Sequence, residues 1–193
     1  MSSANSFKRS APKLYAKGWH KISAGTGMIN LDLKLIDQIG KKLITRKETI
    51  AVAESVTAGL LQTGLSSGGQ ATSYFQGGIT VYNLGQKVKH LGLDPIHGEA
   101  CNCVSSDTAK VLSANCCGYF ISHWALGITG YASPVPELGI EKVFAFYAIA
   151  YNHKIVKAGK ITPKSVSDPV DIRTFYANTV FGELDKLLRP SRV

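Results

Sequence analysis

The sequence predicts a single α/β domain of three layers, in which helices cover both faces of a mixed, largely parallel β-sheet. Three observations indicate this class. Short apolar segments that suit buried strands alternate with longer amphipathic segments that suit helices. The length of 193 residues fits one domain with a sizeable core. A content of 45% hydrophobic and 18% charged residues is ordinary for a globular protein.

The domain is predicted to begin with a helix, a buried strand and a second helix. Apolar residues recur at helical spacing over residues 31–44, and Asn30 is a suitable N-cap. Residues 49–53 are apolar throughout most of their length and suit a short buried strand. The next helix is expected to begin near Thr57 and to end at the Ser-Ser-Gly-Gly stretch of residues 66–69.

The middle of the chain is predicted to alternate in the same way. A strand over residues 77–82 is followed by a short helix over residues 84–91, a loop over residues 94–103 and a helix that Ser105 or Ser106 caps. That helix reaches about residue 119. The elements expected after it are a strand over residues 124–129, a hairpin of strands 143–151 and 155–161 around Asn152 and His153, and a helix over residues 168–188.

The charge of the chain is concentrated at its beginning. Residues 1–27 contain five of the 22 basic residues and none of the 13 acidic ones, so the formal net charge of +9 falls to +4 without them. They show no sustained apolar period and are expected to form a flexible basic extension to a domain of residues 28–193. No later segment combines clustered basic residues with aromatic ones, so we expect no nucleic-acid partner.

The compartment is predicted from apolar runs and cysteines. The longest apolar run, residues 143–150, is too short to span a bilayer, and no signal peptide opens the chain. We therefore expect a soluble cytoplasmic protein with no membrane partner and reduced thiols. The alternative of a zinc site lacks Cys-x-x-Cys spacing and would need adjacent thiols on one helix to point the same way. The cysteines are Cys101, Cys103, Cys116 and Cys117.

Ser55 is the candidate nucleophile, because it lies where the first strand turns into a helix. Small residues follow it, so backbone amides could face an incoming group while the helix directs its positive end there. A serine also needs a base to remove its proton. The Gly-x-Ser-x-Gly pattern of a nucleophile elbow is absent. The local pattern therefore leaves two interpretations open, a nucleophile and an N-cap.

Ser55 lies in the first of several motifs that follow one another along the chain. Residues 53–59 read Ala-Glu-Ser-Val-Thr-Ala-Gly. The later motifs are Ser73-Tyr74-Phe75, Gly77-Gly78, Tyr82, Lys87, Leu91-Gly92-Leu93, His97-Gly98, Val104-Ser105 and the Thr-Gly-Tyr-Ala-Ser-Pro segment of residues 129–134. Over residues 31–188 this series resembles the C-terminal domain of the CinA family, whose stand-alone members include nicotinamide mononucleotide deamidases.

The resemblance implies an amidohydrolase that converts nicotinamide mononucleotide to nicotinate mononucleotide and ammonia without a cofactor. It implies that Ser55 attacks the carboxamide, that Lys87 accepts a proton, and that Tyr82 relays a proton or holds the leaving amine. A lysine can accept a proton only where burial or a nearby cation lowers its pKa. The resemblance also implies a homo-oligomer, and substrate contacts at Thr57, Ala58, Gly59, Gly78, Thr129, Gly130 and Arg173.

The chain departs from the family pattern mainly on the side expected to contact the substrate. Residues 133–139 read Ser-Pro-Val-Pro-Glu-Leu-Gly and lack the glycine-rich stretch that lets a backbone approach a phosphate. Ala58 replaces a family glycine, and Arg173 is the one clear match to a family pair of arginines. Two alternatives therefore stay open: an amidase for another amide, and a ligand-binding protein without turnover.

Overall fold

The computed structural model describes residues 29–165 and 168–189, so the predicted extension over residues 1–27 lies outside the described residues. The described helices are α1 (Leu33–Arg46), α2 (Leu60–Ser67), α3 (Leu84–Leu91), α4 (Pro95–Ala100), α5 (Ser106–Phe120) and α6 (Pro169–Leu187). The strands are β1 (Ile50–Glu54), β2 (Phe75–Thr80), β3 (Trp124–Gly130), β4 (Ala145–Tyr151) and β5 (Lys154–Ile161). Short 3-10 turns lie at Ala71–Ser73 and Pro136–Leu138.

The strands form one sheet in the order β2-β1-β3-β4-β5. Strand β1 pairs in parallel with both β2 and β3, whereas β4 runs antiparallel to β3 and to β5. Four strands therefore run in one direction and only β4 opposes them. The predicted mixed, largely parallel sheet is confirmed.

Helices cover both faces of the sheet, which confirms the three layers. On one face, Ile50 and Val52 belong to the cluster that packs against α1, α2 and α6. On the other face, Ala51 and Ala53 belong to the cluster under α5. A Cβ atom on Gly127 of β3 would lie 2.5 Å from a carbonyl oxygen of α5. The sequence thus places small residues where α5 approaches the sheet closely.

Local signals predicted several elements well. Helix α3 has the predicted bounds, and Ser105 caps α5 by accepting a hydrogen bond from the amide of Thr108 at 2.9 Å. Strands β4 and β5 form the predicted hairpin around Asn152 and His153, whose φ angles of 45° and 65° suit a tight two-residue turn. None of the helices in the described part of the chain has the length and apolarity that a membrane crossing requires.

Three boundary predictions were wrong. Helix α1 is capped by Asp32, not Asn30, because the Asp32 carboxylate accepts a hydrogen bond from the amide of Leu35 at 3.0 Å. Helix α2 begins at Leu60 and not near Thr57, since a turn separates it from β1. The predicted loop over residues 94–103 contains α4, which Asp94 caps and which has proline at its first position.

Candidate active site

A cavity of about 560 Å³ opens at the carboxyl ends of the three parallel strands. Ser55 follows β1, Tyr82 follows β2 by two residues, and Thr129 and Gly130 end β3; all four line the cavity. Parallel strands leave their carboxyl ends at one edge of a sheet, where α/β proteins commonly bind ligands. The sheet topology therefore brings together residues that are far apart in the sequence.

Lys87 lies in the wall of this cavity and contacts Ser55. Its side chain comes from α3, the residue is 2% exposed, and its Nζ atom lies 3.1 Å from Ser55 Oγ. The same Nζ donates to the carbonyl oxygens of Val81 at 2.8 Å and Tyr82 at 3.3 Å. Asn83 caps α3 through its side chain and fixes the start of the helix that carries Lys87. The amine is thus held by three oxygen atoms.

The surroundings of Lys87 favour its neutral form. Burial lowers the pKa of the amine, and this effect outweighs the opposing influence of the nearby Cys103 thiol. No carboxylate of the described residues forms an ion pair with Lys87. A neutral amine has two N–H groups and one lone pair. The two carbonyls can accept the N–H groups, which leaves the lone pair for the hydroxyl proton of Ser55.

Glu54 organises the turn that carries Ser55. Its side chain is fully buried, and Oε2 accepts hydrogen bonds from the Thr57 hydroxyl at 2.6 Å and from the amides of Gly59 at 3.0 Å and Leu61 at 3.1 Å. Oε1 accepts from the amide of Gln62 at 2.9 Å. The carboxylate thus binds the amides that the start of α2 would otherwise leave unpaired.

This arrangement corrects the prediction that the start of the helix faces an incoming group at Ser55. The first amides of α2 bind Glu54, so they are not available to a substrate oxyanion. Gly59, not Ser55, occupies the N-cap position of α2. The interpretation of Ser55 as a helix cap is therefore wrong.

Four of the predicted substrate contacts do not line the cavity. Thr57 and Gly59 bind Glu54, and Ala58 is exposed on the turn. Gly78 lies within β2, where a Cβ atom would approach the side chains of Gln62 and Val52 to 2.5 Å. These residues shape the Ser55 turn and its support instead of forming the cavity wall.

Tyr82 lines the cavity, but its side chain does not join the hydrogen bond between Ser55 and Lys87. The residue is 64% exposed, and its hydroxyl makes no hydrogen bond to Ser55 or Lys87. Only its backbone carbonyl contacts the Lys87 amine. The structure therefore brings two of the three predicted catalytic side chains together and leaves the Tyr82 ring at the cavity opening.

Arg173 reaches the same cavity from α6. Its Nε atom is buried and has no hydrogen-bond partner among the residues that the structure describes. A buried donor without a partner is costly, so a ligand that accepts from it would be favoured.

The two residues that end β3 line the cavity, but the hydroxyl of Thr129 already has a hydrogen-bond partner. It donates to the Cys103 carbonyl at 2.8 Å. At Gly130, a Cβ atom would lie 2.4 Å from the carbonyl of Phe144.

Part of the cavity wall was missed by the sequence analysis. Glu99, Asn102 and Cys103 line the cavity, and all three lie in the segment that was predicted to be a loop. The pair Asp94-Pro95 was the available signal, because an N-cap followed by proline predicts a helix start. Recognition of α4 would have placed Glu99 on a helix and not in a loop.

The cysteines are free thiols, and burial raises the pKa of Cys103, Cys116 and Cys117. Within residues 29–165 and 168–189, no group of three or more His, Cys, Asp or Glu side chains is arranged to hold a metal ion.

Residues 32–184 match the model of a family described as the CinA C-terminal domain. Among curated proteins, a CinA-like protein of Synechocystis is 38% identical over 96 residues, which cover 50% of this chain and 23% of that protein. A putative competence-damage inducible protein of Alkaliphilus oremlandii is 35% identical over 103 residues, or 53% of this chain and 25% of that protein. The matched region thus spans about a quarter of the length of these relatives.

Solved structures show the same fold. A competence or damage-inducible protein from Enterobacter asburiae superposes with a TM-score of 0.77 at 21% identity and covers 83% of this chain and 99% of that one. A CinA superfamily protein from Escherichia coli superposes with a TM-score of 0.72 at 19% identity and covers 85% and 92%.

Proposed function

The chain belongs to the CinA C-terminal domain family, and we propose that it is an amidohydrolase in which Ser55 is the nucleophile and Lys87 the base. The proposed reaction converts nicotinamide mononucleotide and water to nicotinate mononucleotide and ammonia. The observation that carries the proposal is the buried contact of 3.1 Å between Lys87 Nζ and Ser55 Oγ in a cavity wall. A buried lysine with a lowered pKa is a typical means of activating a nucleophile.

The proposed mechanism has two stages. The neutral amine of Lys87 takes the hydroxyl proton of Ser55 while Oγ bonds to the carboxamide carbon. The ammonium form of Lys87 then gives this proton to the amide nitrogen, the C–N bond breaks, and ammonia leaves an ester on Ser55. A water molecule attacks the ester, its proton passes through Lys87 to Ser55 Oγ, and the acid is released.

The oxyanion of each tetrahedral intermediate needs hydrogen-bond donors. The amides at the start of α2 bind Glu54 and cannot serve. The amide of Val56, which follows Ser55 directly and lines the cavity, makes no hydrogen bond with other described residues. It is the donor that we assign to the oxyanion.

The cavity supports a substrate of nucleotide size. Its volume of about 560 Å³ lies in the range of small-molecule sites. Arg173 offers a guanidinium whose Nε lacks a partner, which suits an anionic group such as a phosphate. The segment that departs from the family pattern forms a 3-10 turn over Pro136–Leu138, closed by the pairing of Val135 with Ile140. We therefore assign the phosphate to Arg173 and not to a glycine-rich loop.

A ligand-binding protein without turnover is the second candidate. The observation that favours it is Tyr82, which is 64% exposed and whose hydroxyl makes no hydrogen bond to Ser55 or Lys87. If a catalytic step requires the Tyr82 hydroxyl, this arrangement supports binding without hydrolysis.

Ammonia release by the full chain separates the two candidates. The amidase should release ammonia from nicotinamide mononucleotide in step with nicotinate mononucleotide, and it should do so faster than from unphosphorylated amides. Ser66→Ala, at an exposed serine of α2, should behave as the unmodified chain. Raised thermal stability with the nucleotide, but no ammonia from it or from the other amides, would favour the binding protein.

A further inference from the structure

Two charged side chains of the cavity lack an ion-pair partner among the described residues. Besides Lys87, the acidic and basic residues that line it are Glu99 and Arg173. Neither forms an ion pair within the part of the chain that the structure describes. Beside the Lys87 amine, the cavity therefore presents one carboxylate and one guanidinium to a ligand.

The wall that carries Glu99 is fixed to the end of β3. Asn102 Nδ2 donates to the hydroxyl of Tyr131 at 3.1 Å, and Thr129 Oγ1 donates to the carbonyl of Cys103 at 2.8 Å. Asn102 and Cys103 adopt φ angles of 47° and 57°. Such left-handed backbone is costly for residues other than glycine and persists where neighbouring contacts hold it. These contacts therefore hold this wall of the cavity in a defined conformation.

Tyr131 gives this wall an aromatic surface. Its hydroxyl accepts the hydrogen bond from Asn102, and its ring packs edge-on against Phe144 with centroids 5.5 Å apart and an interplanar angle of 75°. Tyr131 is only half-buried and lines the cavity. The face of an aromatic ring attracts cations, and a carboxylate on the same wall adds Coulomb attraction. Both groups favour a ligand with positive charge on this side.

We infer that the wall formed by Glu99, Asn102 and Tyr131 recognises a planar, positively charged ring that bears the scissile carboxamide. This inference rests on the proposed function and adds to it the residues that select the substrate class. The ring nitrogen of nicotinamide mononucleotide is quaternary, so the ring is a cation. The phosphate of the same molecule is an anion. Such a substrate pairs with both Glu99 and Arg173, whereas a neutral amide pairs with neither.

Binding to the Ser55→Ala variant tests the inference without turnover. The two probes are nicotinamide mononucleotide and its reduced dihydropyridine form, which has the same carboxamide, ribose and phosphate but an uncharged ring. The cationic form should bind about five- to twentyfold more tightly by calorimetry. Adding Glu99→Gln should remove most of this preference by weakening the cationic form alone. Glu141→Gln, at an exposed glutamate outside the cavity, is the control and should keep the preference.

A second pair of variants tests the aromatic surface. Tyr131→Leu in the same background should weaken the cationic form about two- to fivefold, because the ring face is lost. Tyr131→Phe keeps the ring and should retain the preference for the cationic form.

The outcomes separate this inference from the proposed reaction. Equal binding of the two probes, or a preference that Glu99→Gln leaves unchanged, would overturn the inference even if the unmodified chain releases ammonia. A preference that depends on Glu99 would support it. If that preference appeared in a chain that releases no ammonia, only the proposed reaction would be overturned.

Discussion

Lys87 Nζ lies 3.1 Å from Ser55 Oγ although the two residues are 32 positions apart in the sequence. The parallel pairing of β1 with β2 creates this contact, because Glu54 lies opposite Thr80 and the amide of Val81 donates to the Glu54 carbonyl at 2.8 Å. The chain then turns into α3, whose first full turn returns Lys87 to the end of β1. The site therefore depends on sheet register as much as on residue identity.

Replacing the base should abolish turnover. Lys87→Met keeps an unbranched side chain of similar length but removes the amine, so ammonia release should fall by about 10²- to 10⁴-fold. Lys87→Arg should also be inactive, because a guanidinium does not become neutral in proteins. Lys89→Met, at an exposed lysine of the same helix, is the matched control and should keep full activity. Equal rates in Lys87→Met and Lys89→Met would exclude Lys87 as the base.

The rate should rise with pH. Lys87 must be neutral to accept a proton, and burial lowers its pKa below the ordinary value of 10.5. The value of kcat/KM should therefore increase as pH rises through this lowered pKa and should level off before pH reaches the ordinary lysine value. A profile that falls over the same range would contradict the role of a neutral Lys87 amine.

The lowered pKa of Lys87 should also make the free energy of unfolding depend on pH. Between the lowered pKa of folded Lys87 and the ordinary pKa of the unfolded chain, the unfolded state binds more protons. The contribution of Lys87 to the free energy of unfolding should therefore increase with pH across that window. Denaturant titrations of the unmodified chain and of Lys87→Met at several pH values measure it as a difference. A constant difference would show that the pKa of Lys87 is the same in both states.

Glu54 should position the nucleophile through the turn. Glu54→Gln replaces an acceptor oxygen with an NH₂ group that faces backbone donors, so stability should fall by about 2–4 kcal/mol. The residual folded protein should show a lower kcat with a smaller change in KM, because the Ser55 turn moves while the cavity wall stays. Glu137→Gln, at an exposed glutamate, should change stability by less than about 0.5 kcal/mol. A Glu54→Gln protein with normal kcat would show that the cap does not position Ser55.

The turn also contains a strained alanine. Ala58 adopts a φ angle of 51° and is exposed, so glycine should fit without the steric cost of left-handed backbone. Ala58→Gly should raise the free energy of unfolding by about 0.5–1 kcal/mol after the entropy cost of glycine is subtracted. Ala114→Gly in the interior of α5 should have the opposite sign, at about −1 kcal/mol. Denaturant unfolding measures both free energies. A lower free energy of unfolding in Ala58→Gly would contradict the claim that the backbone is strained at Ala58.

Elements with local signals could be predicted from the sequence, and contacts across the fold could not. The bounds of α3 and the hairpin at Asn152 follow from capping and turn residues. The role of Glu54 did not follow, because a carboxylate after an apolar strand gives no sign that it will fold back onto α2. The pairing of Ser55 with Lys87 was expected only from the family resemblance, since neither local pattern distinguishes a catalytic residue from an ordinary one.

The most direct test of Ser55 as the nucleophile compares ammonia release from nicotinamide mononucleotide by the unmodified chain and by Ser55→Ala. Both are measured at equal protein concentration, with folding checked by circular dichroism. We expect release by the unmodified chain and a loss of about 10³-fold or more in the variant. Release at the same rate by both proteins would contradict the assignment of Ser55 as the nucleophile.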